Sequence, residues 1–167
     1  QLPLQELDRA VGARKRSSED APAPAPRALP RLDESIRTLV LLCREGQWRE
    51  VQEAPPAWWE SLEGAPVLQA LLDAEGDPAL LPEELQALVR GLEAQASRQD
   101  AAEGRDATAL FLKLEAGYVD REIQANNRML QDPRVLSDPA LWDRINLNLM
   151  TLIARQKSLS RQRRLRK

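Results

Sequence analysis

The sequence predicts an all-α protein: a bundle of short helices followed by a long C-terminal antiparallel helical hairpin. From residue 33 onward, apolar residues recur every three or four positions, which is the spacing of one helix face. β-branched residues are scattered and nowhere alternate with polar ones, so no strand is expected. The last third, residues 107–167, holds two long amphipathic segments on either side of Gln131-Asp132-Pro133, and these segments indicate the hairpin.

Composition narrows the classes of function. The chain has 167 residues, of which 43% are hydrophobic, which suits one domain or two small ones. It contains no histidine, which removes Ser-His-Asp triads and imidazole metal sites. Its single cysteine, Cys43, can form neither an internal disulfide nor a zinc knuckle, and lies in an apolar run that predicts a core position. We therefore expect no catalytic residue, no metal, no cofactor and a cytoplasmic location.

The first 32 residues predict two segments outside the bundle. Residues 1–16 suit one short helix, with Pro3 in its first turn and Gly12 ending it. Such a helix is too short to be stable alone, so we expect it to be the last helix of an upstream domain. Residues 17–32 contain an Ala-Pro repeat and predict a stiff Pro/Ala-rich linker, with a ligand for an SH3-type domain as the alternative.

Residues 33–106 predict a bundle of small helices. The first helix follows an apolar stripe over residues 33–45 and ends at Gly46. Pro82 begins the last helix, followed by two glutamates in the first turn, where the helix dipole favours acids. Three short helices are expected between these, around residues 48–51, 58–62 and 67–72, with the last two divided by Gly64–Pro66; a polar connector is expected over residues 94–106.

Three tryptophans of the bundle, Trp48, Trp58 and Trp59, allow two functional interpretations besides core packing. Aromatic side chains can stack on nucleic-acid bases. However, residues 33–106 hold six bases against sixteen acids, a net charge of −10, which repels a phosphate backbone. We therefore expect the tryptophans to pack in the core, with a contact to a partner protein as the alternative.

Residues 107–167 predict the hairpin through two coiled-coil seams, each with six positions at alternating spacings of three and four. Asp138 before Pro139 is a favourable start for the second helix. Polar Asn126 and Gln156 interrupt the seams, and either set the register or mark where a seam becomes exposed. The seam positions are Leu112, Ala116, Val119, Ile123, Asn126 and Leu130 in the first helix, and Trp142, Ile145, Leu149, Leu152, Gln156 and Leu159 in the second.

Apolar residues outside these seams exceed what two helices can cover, so the surplus must meet the bundle or another molecule. In the turn, Val135 and Leu136 either offer an apolar contact to a partner or cap the core of the hairpin. The off-seam residues are Phe111, Leu114 and Tyr118 in the first helix, and Leu147, Met150 and Ile153 in the second.

The second helix ends in a basic tail. Seven bases and no acid follow from Arg155 onward, and residues 107–167 as a whole carry a net charge of +6. The tail is either a solvated helix end, where the dipole favours cations, or a contact for an acidic protein surface. Direct contact with nucleic acid is not expected, and Arg161–Lys167 is the only candidate for it.

Three stretches of the chain resemble the C-terminal helicase-binding domain of bacterial DNA primase. Residues 2–12, Leu-Pro-Leu-Gln-Glu-Leu-Asp-Arg-Ala-Val-Gly, are similar to the last helix of the primase catalytic core. Residues 35–45, Ser-Ile-Arg-Thr-Leu-Val-Leu-Leu-Cys-Arg-Glu, are similar to the first helix of the helicase-binding bundle. Residues 106–130, followed by Leu-Trp-Asp-Arg-Ile-Asn-Leu at 141–147, are similar to its final helix pair. The likeness departs from the family at residues 44–47, which lack the Asn-Pro or His-Pro pair usual there.

The resemblance implies a domain without catalysis of its own, because the zinc module and magnesium-binding polymerase core of a primase lie upstream. It implies binding to the N-terminal domains of the hexameric replicative helicase, which would anchor primer synthesis at the replication fork and modulate the helicase. A helical adaptor of a secretion or envelope system and a small nucleic-acid-binding protein that uses the basic tail are the alternatives. The expected partner-binding residues, on the outward surface of the hairpin, are Val135, Leu136, Leu147, Met150, Arg155 and Arg161.

Overall fold

The computed structural model describes residues 31–99 and 106–166, and all regular structure within these ranges is helical. This confirms the predicted all-α class. The predictions for residues 1–30 and for the middle of the connector lie outside the described residues. The α-helices are α1 Glu34–Leu42, α2 Trp48–Glu53, α3 Ala65–Asp73, α4 Glu83–Gln99, α5 Ala107–Met129, α6 Pro133–Leu136 and α7 Pro139–Leu165, and shorter 3-10 turns lie at Pro56–Trp58 and Pro78–Leu80.

Helix α1 forms as its sequence predicts. The Asp33 carboxylate accepts a hydrogen bond of 2.8 Å from the backbone N–H of Ser35 and so caps the first turn. The apolar stripe, including Ile36 and Leu39, is fully buried. Beyond Leu42 the chain widens into a π-type turn over Cys43–Gln47, and Gly46 ends it with a φ of 90°, where a side chain would be strained. The predicted end at Gly46 is confirmed.

Two details of the bundle differ from prediction. No α-helix forms over residues 58–62; the segment is a single 3-10 turn, Pro56–Trp58, followed by irregular turns. The backbone leaves the helical range at Trp59, whose φ is −129°, so the turn does not continue into an α-helix. Gly64–Pro66 does not divide two helices but begins α3, with Gly64 as the N-cap at a φ of 94° and the proline in the first turn.

The connector predicted at residue 94 begins later, because α4 continues to Gln99. The last turns of α4 contain alanine, glutamine and arginine, which all favour helix. The helix therefore continues there without large apolar side chains. The hydroxyl of Ser97 donates a hydrogen bond of 2.9 Å to the carbonyl of Glu93 one turn earlier. A solvated polar stretch thus remained helical where sequence reasoning expected a loop.

The core of the bundle is closed by the first half of α5. Leu114 of α5 is 4% exposed and belongs to the same buried cluster as residues of α1, α3 and α4. Phe111 packs against that cluster from the same side. Arg121 adds a polar link, since its Nη2 donates a 3.0 Å hydrogen bond to the carbonyl of Trp58. Two of the three surplus apolar residues of this helix, Phe111 and Leu114, therefore meet the bundle.

The three tryptophans of the bundle lie in or against its core, as expected. Trp59 is 3% exposed within the buried cluster, and Trp48 and Trp58 are partly buried against it. The Arg49 guanidinium stands 5.3 Å from the ring centroid of Trp48, a cation–π distance. None of the three rings is therefore presented as an open stacking platform of the kind that binds nucleic-acid bases.

The hairpin pairs α5 with α7 in antiparallel directions, as predicted. The short helix α6 fills the turn, capped by Asp132, whose carboxylate accepts a 2.8 Å hydrogen bond from the N–H of Arg134. Polar contacts between the long helices run along their whole length. They are Asn148 to Asn126 at 3.2 Å, Gln156 to Asp120 at 2.7 Å, Arg155 to Glu115 at 2.6 Å, and Arg166 to Asp106 at 3.8 Å.

The two polar seam residues act across the hairpin. Asn126 is 2% exposed, and its Oδ1 accepts from the amide of Asn148, while its own amide donates to the carbonyl of Glu122 at 2.8 Å. Gln156 donates from Nε2 to the Asp120 carboxylate. Because a shifted register would leave the buried Asn126 oxygen unpaired, these contacts favour the register interpretation over simple exposure.

Candidate protein-docking surface

The face of α7 that points toward α5 is filled. We call its seam positions the inner seam; Ile145, Leu149 and Leu159 of this set are buried, with exposures of 8%, 9% and 1%. Trp142, at the start of the helix, is the exception, with 37% of its surface exposed. The inner seam therefore has no room for a partner, and any docking must use other faces of the helix.

The opposite face of α7 carries a second row of residues that is exposed along its whole length. Its six members repeat the spacings 3, 4, 3, 4 and 3 of the inner seam, shifted by five residues. Five residues at about 100° each turn the row by about 140° to the far side of the helix. We call it the outer stripe: Leu147, Met150, Ala154, Lys157, Arg161 and Arg164, all exposed.

The apolar end of the outer stripe is open to solvent. Leu147 is 68% exposed and Met150 is 63% exposed, although both are large apolar side chains. Single exposed apolar residues are common on protein surfaces and need no explanation. Two of them one turn apart, in line with a regular repeat, are more typical of a protein contact.

The basic end of the outer stripe is not neutralised within the described chain. Lys157, Arg161 and Arg164 make no ion pair there, whereas neighbouring Arg155 and Arg166 pair with carboxylates of α5 and its cap. No acidic residue follows Asp143 in the sequence. A shallow cleft of about 230 Å³ opens along this end, lined by Gln156, Lys157, Ser160, Arg161 and Arg164. The end is suited to an anionic partner surface.

Five of the six predicted contact residues are exposed, Arg155 among them with 46% of its side chain exposed. Leu147, Met150 and Arg161 belong to the outer stripe, and Leu136 is 60% exposed at the tip of the hairpin. Val135 is only 7% exposed, which agrees with the alternative that it caps the hairpin. Arg155 lies beside the stripe with its guanidinium held by Glu115 at 2.6 Å. Val135 and Arg155 are not members of the outer stripe, and their contact with a partner stays a prediction.

Sequence reasoning missed three members of the stripe: Ala154, Lys157 and Arg164. The available signal was the repeat itself, since positions 147 to 164 have the spacing already recognised in the inner seam. Alanine and basic residues do not register as an apolar row, so periodicity pointed only to Leu147 and Met150, and Arg161 was included for its charge.

Other chemistry in the described residues is limited. No group of three or more cysteine, aspartate or glutamate side chains there is placed to hold a metal ion. None of the described helices combines the length and the apolar character that a bilayer crossing needs. Cys43 is 2% exposed in the bundle core, and burial raises the pKa of its thiol from 9.0 to about 12.

The raised pKa of Cys43 predicts an unreactive thiol and a pH-dependent stability. Well below pH 9 the thiol is neutral in the folded and the unfolded chain, so its contribution to the free energy of unfolding does not change with pH. Between pH 9 and 12 the unfolded chain loses the proton first, so the free energy of unfolding should fall as pH rises. Urea denaturation at pH 8 and pH 10.5, with Cys43→Ala as the control, should show a smaller fall in the variant. Equal falls would contradict the assignment.

Comparison with known protein families, with curated proteins and with solved structures finds no match to this chain.

Proposed function

We propose that this chain is a non-catalytic docking region and that the exposed surface of its hairpin is the contact. The observation that carries the proposal is the outer stripe, a regular exposed row on a helix whose inner seam is already filled. A helix needs only one apolar stripe to pack in a hairpin. The second row has no role in the described fold, which supports a role in binding.

For the partner we propose the N-terminal domains of the hexameric replicative helicase, with the chain anchoring a bacterial DNA primase at the fork. The resemblance of residues 2–12, 35–45, 106–130 and 141–147 to the helicase-binding domain of primase supports this choice. An anchor of this kind raises the effective concentration of a weakly bound enzyme at its site of action. The Ala-Pro repeat in residues 17–32 would let an upstream catalytic core reach template while the anchor stays bound.

The test is a calorimetric titration of the full chain with the N-terminal domains of the replicative helicase from the same organism. Saturable binding that is lost when Leu147 and Met150 are both replaced by serine would support the proposal. Both positions are exposed, so the double variant should keep the helical circular dichroism of the parent. Absence of binding at micromolar concentrations would reject the helicase as the partner.

Charge reversal at two arginines should separate docking from folding. Arg161→Glu alters an exposed cation of the stripe that forms no ion pair with another described residue, so helicase affinity should fall about tenfold with the melting temperature unchanged. Arg155→Glu instead places a carboxylate beside Glu115, so it should destabilise the hairpin by up to about 1 kcal/mol. Thermal denaturation and calorimetry on both variants check this. The distinction fails if Arg161→Glu lowers the melting temperature or leaves affinity unchanged.

A further inference from the structure

We propose that the outer stripe of α7 binds one amphipathic helix of the partner, apolar at one end and acidic at the other. The inference rests on the proposed docking function and adds the form and chemistry of what docks. Alternating spacings of three and four are the positions through which one helix packs along another. The stripe therefore presents the geometry of a helix-binding face, continuous from Leu147 to Arg164.

The dimensions of the stripe fit a single helix. From position 147 to position 164 the axis of α7 advances about 26 Å at about 1.5 Å per residue, which about five helical turns of a partner would cover. Ala154 lies at the midpoint of the row, and its small side chain allows close approach of a second helix. With α5 on one side and the partner on the other, α7 would become the middle helix of three.

The two ends of the stripe differ in chemistry, which gives the interaction a direction. Leu147 and Met150 offer apolar surface toward the hairpin tip, whereas Lys157, Arg161 and Arg164, which make no ion pair within residues 31–99 and 106–166, offer three cations toward the other end. A matching helix needs apolar side chains opposite the first end and carboxylates opposite the second. Reversal of such a helix would set acids against leucine and methionine and leave the cations unpaired, so one orientation should be strongly preferred.

A nucleic acid fits this surface less well than an acidic helix does. Phosphates would be attracted to the basic end, but the apolar end offers them nothing, and the described stripe has no aromatic side chain for base stacking. The acidic bundle of the same chain, with net charge −10 over residues 33–106, would also repel a phosphate backbone. An acidic protein helix can use both halves of the stripe.

The test uses two synthetic peptides of identical composition, each about three heptads long. One has leucine at the a and d positions of its first half and glutamate at those of its second half, and the other alternates leucine and glutamate along the same positions. Binding of each labelled peptide to the full chain is followed by fluorescence anisotropy. We expect the peptide with separate halves to bind at least about tenfold more tightly than the alternating one. Arg161→Glu with Arg164→Glu should remove the preference, and Arg163→Glu, an exposed control outside the stripe, should keep it.

Three results would overturn the inference: equal affinity for both peptides, a preference unaffected by the double charge reversal, or displacement of the preferred peptide by an equal concentration of a single-stranded oligonucleotide. The outcome is separable from that of the helicase titration. A chain that binds the helicase domains but shows no peptide preference keeps the proposed function and loses the inference. A chain that shows the preference but ignores the helicase keeps the helix-binding stripe and loses the proposed partner.

Discussion

Replacement of Leu149 by alanine is expected to lower the free energy of unfolding by about 2–5 kcal/mol. The side chain lies in the inner seam between α7 and α5, with 9% of its surface exposed. Truncation removes buried apolar contacts and leaves a cavity that two long, straight helices cannot readily close. Urea denaturation followed by circular dichroism measures the change.

Leu147→Ala is the matched control, since it makes the same substitution two residues away on the opposite face of α7. Leu147 is 68% exposed, so its truncation should change stability by no more than about 0.5 kcal/mol. Its binding to the helicase domains should nevertheless weaken, whereas folded Leu149→Ala should keep most of its affinity. Similar stability losses in the two variants would contradict the division of α7 into a filled face and an open face.

The second large effect is expected at Leu114, where α5 enters the core of the bundle. Leu114→Ala should cost about 2–5 kcal/mol, and Leu114→Asp should cost more, because a carboxylate would be buried without a partner. Hydrogen exchange should then show lower protection in α1 as well as in α5, since both contribute to the same cluster.

Lys113→Ala provides the comparison for Leu114. The Lys113 side chain is 55% exposed, and its contact with Glu34 is a surface pair at 3.7 Å, so its loss should change stability by less than about 1 kcal/mol. If Leu114→Asp lowers protection in α5 and α7 but leaves α1 unchanged, the bundle does not depend on α5 for its core. That result would overturn the packing described for the two parts of the chain.

Much of the fold could be predicted because its signals are local. The hairpin seams, the cap at Asp138 and the end of α1 at Gly46 all follow from spacing and capping within a few residues. The helix expected over residues 58–62 did not form. The prediction relied on the apolar residues there, but the backbone leaves the helical range at Trp59. The extension of α4 to Gln99 was missed because polar residues with good helix propensity carry no periodic signal.

The candidate surface was predictable only in part, because exposure depends on contacts between distant residues. Val135 and Leu136 are neighbours with similar apolar side chains, yet one is 7% exposed and the other 60%. Arg155 and Arg161 are equally basic, but within the described part of the chain Arg155 meets a carboxylate, Glu115, forty positions earlier, and Arg161 meets none. The sequence pointed to the outward surface of the hairpin, but it could not show which of these side chains would be buried or paired within the fold.

The central claim is that the outward face of α7 contacts the partner, and site-specific photocrosslinking tests it most directly. Ala154→Cys places one accessible thiol in the middle of the stripe, while the buried Cys43, with its raised pKa, should resist labelling with benzophenone maleimide. Gln52→Cys, exposed on α2, is the control. Irradiation with the helicase N-terminal domains should yield a crosslinked species from position 154 and none from position 52. Crosslinking from position 52 alone, or from neither position while calorimetry shows binding, would contradict the account.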